Sequence, residues 1–279
     1  MPIENVPESY FDNHLKSRDL FVYDFKMTDD AVKTKVNLSM HMLSFLQVGK
    51  KQVHYGGNTI AVNKHQSLLL KKGNALWTEI LDQESIYYCK LFFFSESKLI
   101  QFLRKHKTRT YAHSDEPPFF IIKNDEYILA FVKTLSAIIS SSTASNEEML
   151  AVKFEEILLY LMDKYGQKFE KYLQSLIAEE SSQFKTVIEN YVYSNLKLEE
   201  IAFLCNMSLS TFKRHFIQEF GESPGKWLQD KRLQKAKEKL ASGELKPSDI
   251  YMDYGYNNLS NFSTAFKNKF GLSPKQMKG

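Results

Sequence analysis

Residues 209–224 read LSTFKRHFIQEFGESP, and residues 259–274 read LSNFSTAFKNKFGLSP. The Leu, the Ser, three Phe, the Gly, the second Ser and the Pro coincide, and self-similarity of this kind marks a duplicated unit. Phe212, Phe216 and Phe220 fall at i, i+4 and i+8, as do Phe262, Phe266 and Phe270, the spacing of one buried stripe on a helix. Gly221 and Gly271 stand where a helix stop needs the left-handed conformation. Pro224 and Pro274, each behind a Ser, suit the first turn of a following helix. Both copies therefore spell helix, glycine stop, capped helix start.

Each copy has a shorter helix in front. Leu198 to Leu204 precedes the turn Cys205-Asn206-Met207-Ser208, with small Ala202 allowing close approach, Asn206 suited to a left-handed residue and Ser208 to an N-cap. Pro247 to Tyr254 precedes Gly255-Tyr256-Asn257-Asn258 in the second copy. Helix, Gly- or Asn-bearing turn and helix make the helix-turn-helix arrangement, here in tandem. Between the copies, Gly225 to Ala241 reads as a long amphipathic helix with Trp227, Leu228, Leu233, Ala236 and Leu240 inward.

Over about residues 183–279 the segment resembles the AraC/XylS family of bacterial transcription regulators. The resemblance is carried by IAFLCNMSLSTFKRHFIQEFGESPGKWLQDKRLQKAKEKL and YGYNNLSNFSTAFKNKFGLSP, with Arg232-Leu233 and Ala236 in the linking helix. It implies that Ser208 to Phe220 and Asn258 to Phe270 are recognition helices set in successive major-groove segments. It also places base-reading positions at Ser210, Lys213 and Arg214.

The faces opposite the Phe stripes carry Ser210, Thr211, Lys213, Arg214, Ile217 and Gln218 in the first copy, and Ser260, Asn261, Ser263, Thr264 and Lys267 in the second. Arg214 suits guanine O6/N7 and Asn261 suits adenine. The first unit is therefore expected to supply most of the sequence reading, and the second to position. Tyr251 replaces the small residue that would match Ala202, a bulky ring in the packing seam. His215 reads as packing; Lys226, Lys231 and Lys267 read as phosphate contacts or solvated charges.

The first half reads as strands. Val36 to Met42 alternates with period two, Gly56-Gly57-Asn58 marks a hairpin turn, Ser67 to Leu70 is a short apolar run, and Ser85 to Phe94 is aromatic-rich. Helices follow: one capped by Ser95 and running through Lys105, one capped by Asn124, and one opened by Asn146. The last has Leu150, Phe154, Ile157, Leu158 and Leu161 on one face, free to cover its own barrel or a second subunit. Ser140 to Ser145 reads as a polar break, Gly166 as an interruption, and Glu179-Glu180-Ser181-Ser182 as the linker. The family resemblance implies a sensing or dimerising domain built on a cupin-like barrel.

The expected architecture is thus α+β. A cupin-like β-barrel with flanking helices occupies residues 1–178, and an all-α double helix-turn-helix domain occupies residues 179–279. His41, His54 and His65 are scattered, and Ala75 and Leu76 stand where a metal-binding cupin tends to place histidine, so neither a metal nor another cofactor is expected. Trp77, Tyr87, Phe92 and Phe94 are the candidates for an aromatic effector cavity.

From Ser181 onward, 15 Lys and Arg stand against 10 Asp and Glu, which leaves the rest of a chain of net charge +4 near −1. Basic charge gathered in one domain fits a phosphate backbone. The two cysteines form no CxxC unit, the start has no apolar signal segment, and no apolar run nears the roughly 20 residues that cross a bilayer. The expected protein is a cytoplasmic transcription activator rather than an enzyme. Its expected partners are double-stranded promoter DNA, RNA polymerase, a small-molecule effector and a second copy of itself, with no membrane. Two other readings stay open: a cupin-type enzyme with an appended binding module, and a ligand-free regulator controlled by a protein partner.

Overall fold

The computed structural model describes residues 2–10, 19–106, 116–140, 146–177, 184–194, 196–242 and 245–277. The polar break after Ser140 and the linker around Glu179 lie outside them. The chain divides into two compact units, Met1–Ser181 and Ser182–Gly279.

Among the described residues the first unit is built on ten strands: β1 (Ile3–Val6), β2 (Leu20–Met27), β3 (Ala31–Leu38), β4 (His41–Val48), β5 (Lys50–Tyr55), β6 (Asn58–Val62), β7 (Gln66–Leu70), β8 (Gly73–Ile80), β9 (Tyr87–Phe94) and β10 (Phe119–Lys123). They form two five-stranded sheets, ordered β1-β3-β8-β5-β6 and β10-β7-β4-β9-β2. The sheets face each other across one apolar core that includes Val36, Val53 and Trp77 from the first and Met42, Leu70 and Phe93 from the second. This is the cupin-like β-barrel of an α+β fold. The helices α1 (Glu96–Lys105), α2 (Glu126–Ser140), α3 (Asn146–Tyr165) and α4 (Gln167–Leu176) cover the outer face of the second sheet.

β9 shows how period two serves both layers. Tyr87, Cys89, Leu91 and Phe93 enter the inter-sheet core, while Phe92 and Phe94 join the helix layer. Inside the barrel, Lys51 Nζ and Glu79 Oε1 lie 2.8 Å apart with almost no exposure, and the ammonium sits 3.6 Å from the Trp77 ring centroid. These two residues are directly paired across β5 and β8, so each buried charge has its counter-ion.

Two local expectations are corrected, and one open choice is resolved. The alternation through Val36–Met42 spans two strands, because the chain bends at Ser39-Met40 and passes from one sheet to the other. The second helix is capped by Asp125, whose Oδ1 accepts from Ile128 N–H; Asn124 instead holds Ser67 and the Lys64 carbonyl. The stripe of α3 from Leu150 to Leu161 packs on its own barrel. Ser95 does cap α1, and Gly166, at φ +54°, separates α3 from α4.

The second unit contains six helices among the described residues: α5 (Phe184–Tyr191), α6 (Leu198–Leu204), α7 (Leu209–Phe220), α8 (Pro224–Ala241), α9 (Pro247–Ile250) and α10 (Leu259–Phe270). α8 is shared between two cores. Its first turns give Trp227, against Phe216 and Phe220, to the first core; Leu233, Ala236 and Leu240 enter the second with Phe262 and Phe266. α5 adds a helix beyond those expected from the sequence; its Phe184 closes the first core on Phe212, Phe216 and Phe220.

Candidate nucleic-acid interface

The helices α7 and α10 are delimited by the chemistry their sequences announce. Ser208 Oγ accepts from Thr211 N–H at 3.2 Å, and Asn258 Oδ1 accepts from Asn261 N–H at 2.8 Å. Gly221 and Gly271 close the helices at φ +76° and +75°, each donating to a carbonyl four residues back. Phe212 and Phe216 are fully buried, as are Phe262 and Phe266.

That burial turns the other face outward. Ser210, Thr211, Lys213, Arg214 and Gln218 on α7 are all exposed, and so are Ser260, Asn261, Thr264 and Lys267 on α10. Lys213 and Arg214 have no ion-pair partner among the described residues, so both cations are available to an external anion or base edge. Ile217, half exposed between them and Gln218, supplies an apolar surface of the kind that meets a thymine methyl. The Ser210 hydroxyl lies 3.0 Å from the Ser208 cap, and Thr211 accepts from the same cap, which ties both to the helix start. His215 packs edge-on against Phe184 at 4.5 Å, the structural role read from its position. Burial pushes the Cys205 thiol up to about 12, which leaves it protonated at neutral pH.

The turns before α7 and α10 differ in length. Met207 N–H donates to the Ala202 carbonyl around left-handed Asn206; Tyr256 N–H donates to the Tyr251 carbonyl around left-handed Gly255. Tyr251 therefore occupies the position of Ala202, as its sequence place suggested, and it packs partly buried at the edge of the second core. From the left-handed residue to the cap is two residues in the first turn and three in the second. The helix ahead also shrinks: the stretch expected to run through Tyr254 is helical only over Pro247–Ile250, and turns follow.

α8 holds both units. Gln229 Nε2 donates to Tyr256 Oη at 3.2 Å, and Lys269 Nζ donates to the Asp230 carbonyl at 2.8 Å and pairs with its carboxylate at 2.7 Å. Arg232 turns to the first unit and donates from Nε to the Val192 carbonyl and from a terminal nitrogen to that of Ser194. Burial lowers its guanidinium pKa from the ordinary value. Lys226, Gln229, Tyr256, Asn257, Asn261 and Thr264 line an open groove of about 650 Å³ beside α10.

The effector candidates do not form one site. Trp77 and Tyr87 point between the sheets, whereas Phe92 and Phe94 lie on the opposite face of the second sheet against Phe154. The correction follows from strand alternation: even and odd positions of β9 cannot line one cavity. His41 is buried with Nδ1 accepting from Lys72 N–H, and burial draws its pKa down to about 3; His54 meets Thr59 within its hairpin.

A family model described as the ExsA N-terminal regulatory domain matches residues 41–172, and one described as a helix-turn-helix domain matches residues 201–279. The chain is similar to the thermoregulatory protein LcrF of Yersinia pestis, at 27% identity over 165 residues that cover 59% of this chain and 60% of that one. It is similar to the HTH-type transcriptional regulator ExsA of Pseudomonas aeruginosa, at 28% identity over 130 residues, 46% of this chain and 47% of that one. These matches span less than two thirds of each relative. Among solved structures, ToxT of Vibrio cholerae aligns over 93% of this chain and 97% of its own, at 14% identity and a TM-score of 0.42. With a duplicated helix-turn-helix on a shared helix, and with both halves matched in this way, the chain belongs to the AraC/XylS family of transcription regulators.

Proposed function

We propose that the chain is a sequence-specific DNA-binding transcription regulator, an activator, which reads successive major-groove segments with α7 and α10 and is modulated through its N-terminal unit. One observation carries this reading: two helices with matched caps and stops each turn a polar face outward, and both are fastened to α8. Lys213 and Arg214 would read bases from α7, while Asn261, Thr264 and Lys267 would hold the second segment. On this reading the chain acts by binding rather than by catalysis, with promoter DNA and RNA polymerase as partners.

Residues 1–178 would sense and dimerise, and residues 179–279 would bind DNA. A homodimer draws support from α3, where Met149, Val152 and Leu159 stay exposed opposite the buried stripe. Two modes of control are open, a small effector and a protein partner. The packing of Trp77, Tyr87 and Phe93 into one core between the sheets favours the protein partner. No described helix is long and apolar enough to cross a membrane.

The test is selection of binding sequences from a random double-stranded DNA pool by the purified full chain. The expected product is a bipartite sequence whose elements lie about one helical turn, roughly 10 base pairs, apart. Its affinity should fall steeply with added salt. A pool that stays random after repeated selection would contradict the reading.

A further inference from the structure

Two helix-turn-helix units read a bipartite site well only if their separation and rotation match the DNA. A flexible pair would bind each half-element alone and gain little from the second, whereas a rigid pair gains a large effective concentration. What fixes the pair here is a small set of contacts along α8.

Arg232, on α8, touches both units through a single group. Its Nε donates to the Val192 carbonyl at 2.8 Å and a terminal nitrogen to the Ser194 carbonyl at 2.7 Å, just past the end of α5. Those carbonyls belong to a helix end whose last acceptors have no partner within the helix, and a cation there also meets the negative end of the helix dipole. The other terminal nitrogen lies against Gly255, the left-handed residue of the second unit's turn. A Cβ built on Gly255 would come within 2.7 Å of it. The guanidinium is thus bonded to the first unit and in van der Waals contact with the backbone of the second. Glycine is required at 255 twice over, for its φ of +81° and for the space the arginine takes.

We propose that Arg232 is a positioning residue that sets the distance and rotation between the two recognition helices. The planar fork is what the task needs: two bonds fix its plane, and the face left over defines how closely the second turn can approach. Lysine at 232 could reach one carbonyl and would fix no plane. The inference rests on the proposed DNA-binding reading, and the experiment separates the two.

The experiment uses the purified full chain and the bipartite sequence obtained by selection. Binding is measured to that sequence, to versions with one base pair inserted or removed between the elements, and to DNA carrying only the first element. One inserted base pair turns the second element by about 35°. The native chain should lose about tenfold or more in affinity, because linked binding collapses when geometry forbids simultaneous contact. In Arg232→Lys and Arg232→Ala the spacing penalty should fall to about threefold or less, while affinity for the first element alone is kept. Gly255→Ala, which pushes a methyl against the guanidinium, should shift the preferred spacing even if both arginine variants fail to fold. An unchanged spacing penalty in the folded variants overturns the proposal. So does a parallel loss on the single element, which would mean general damage to the first unit. Failure to select any sequence at all refutes the DNA-binding reading instead.

Discussion

At corresponding places on α7 and α10, Lys213 matches Ser263, Arg214 matches Thr264 and Ile217 matches Lys267, while every stripe Phe and both stop glycines are kept. The duplication has preserved what makes a helix of this length and seats it, and changed what the helix shows to solvent. Packing also differs beneath the shared stripe. Phe216 meets the rings of Phe184, Phe212, Phe220 and Trp227, whereas among the described residues Phe266 meets those of Phe262 and Phe270. The first unit is the more densely aromatic and the more cationic on its exposed face. The second is approached through a shorter helix and a longer turn.

The largest effects should come from the cores. Phe216→Ala and Phe266→Ala should each cost about 3–5 kcal/mol, the usual range for a buried Phe, with Phe216 at the upper end because more rings lose contact. Hydrogen exchange of α7 and α10 in the full chain reads the two costs separately, and equal costs would remove the packing half of the comparison. Smaller effects should come from the stops. Gly221→Ala and Gly271→Ala should cost the same, about 1–2 kcal/mol, since an added Cβ meets nothing within 4 Å at either and only the left-handed backbone is penalised. Thermal unfolding of the two variants checks this, and unequal shifts would show that the helix ends differ beyond their sequences. Smallest are the caps: Ser208→Ala and Asn258→Ala should each cost about 1 kcal/mol, read as faster exchange in the first turn of the affected helix.

The second unit was more legible in sequence than the first because helix stops and caps are local chemistry. Gly221, Gly271, Ser208, Pro224 and left-handed Asn206 each declare a conformation that needs no distant partner. What stayed hidden depends on tertiary pairing. β8 begins with Gly73-Asn74, residues that signal a turn, and becomes a strand because β3 and β5 hydrogen-bond to its two edges. α5 is eight residues long and needs the Phe cluster to exist. The period-two run through Ser39-Met40 continues unbroken in sequence while the chain changes sheet. Trp77, Tyr87, Phe92 and Phe94 share aromaticity in sequence, but strand alternation sends the last pair to the helices. At the interface the exposed polar faces were readable, but the clamp was not: Arg232 was visible only as part of a family signature, and its contacts with Val192, Ser194 and Gly255 join segments up to 40 residues apart.

The central claim is that the two units divide the work, with α7 reading and α10 positioning. The most direct measurement is the base preference, position by position, of Arg214→Ala and Asn261→Ala on the selected sequence. Arg214→Ala should lose about 1–3 kcal/mol of discrimination at one or two positions of the first element. Asn261→Ala should weaken binding more evenly across sequences and leave base preferences nearly as they were. If Asn261→Ala alters base preference more than Arg214→Ala does, the division of labour is wrong.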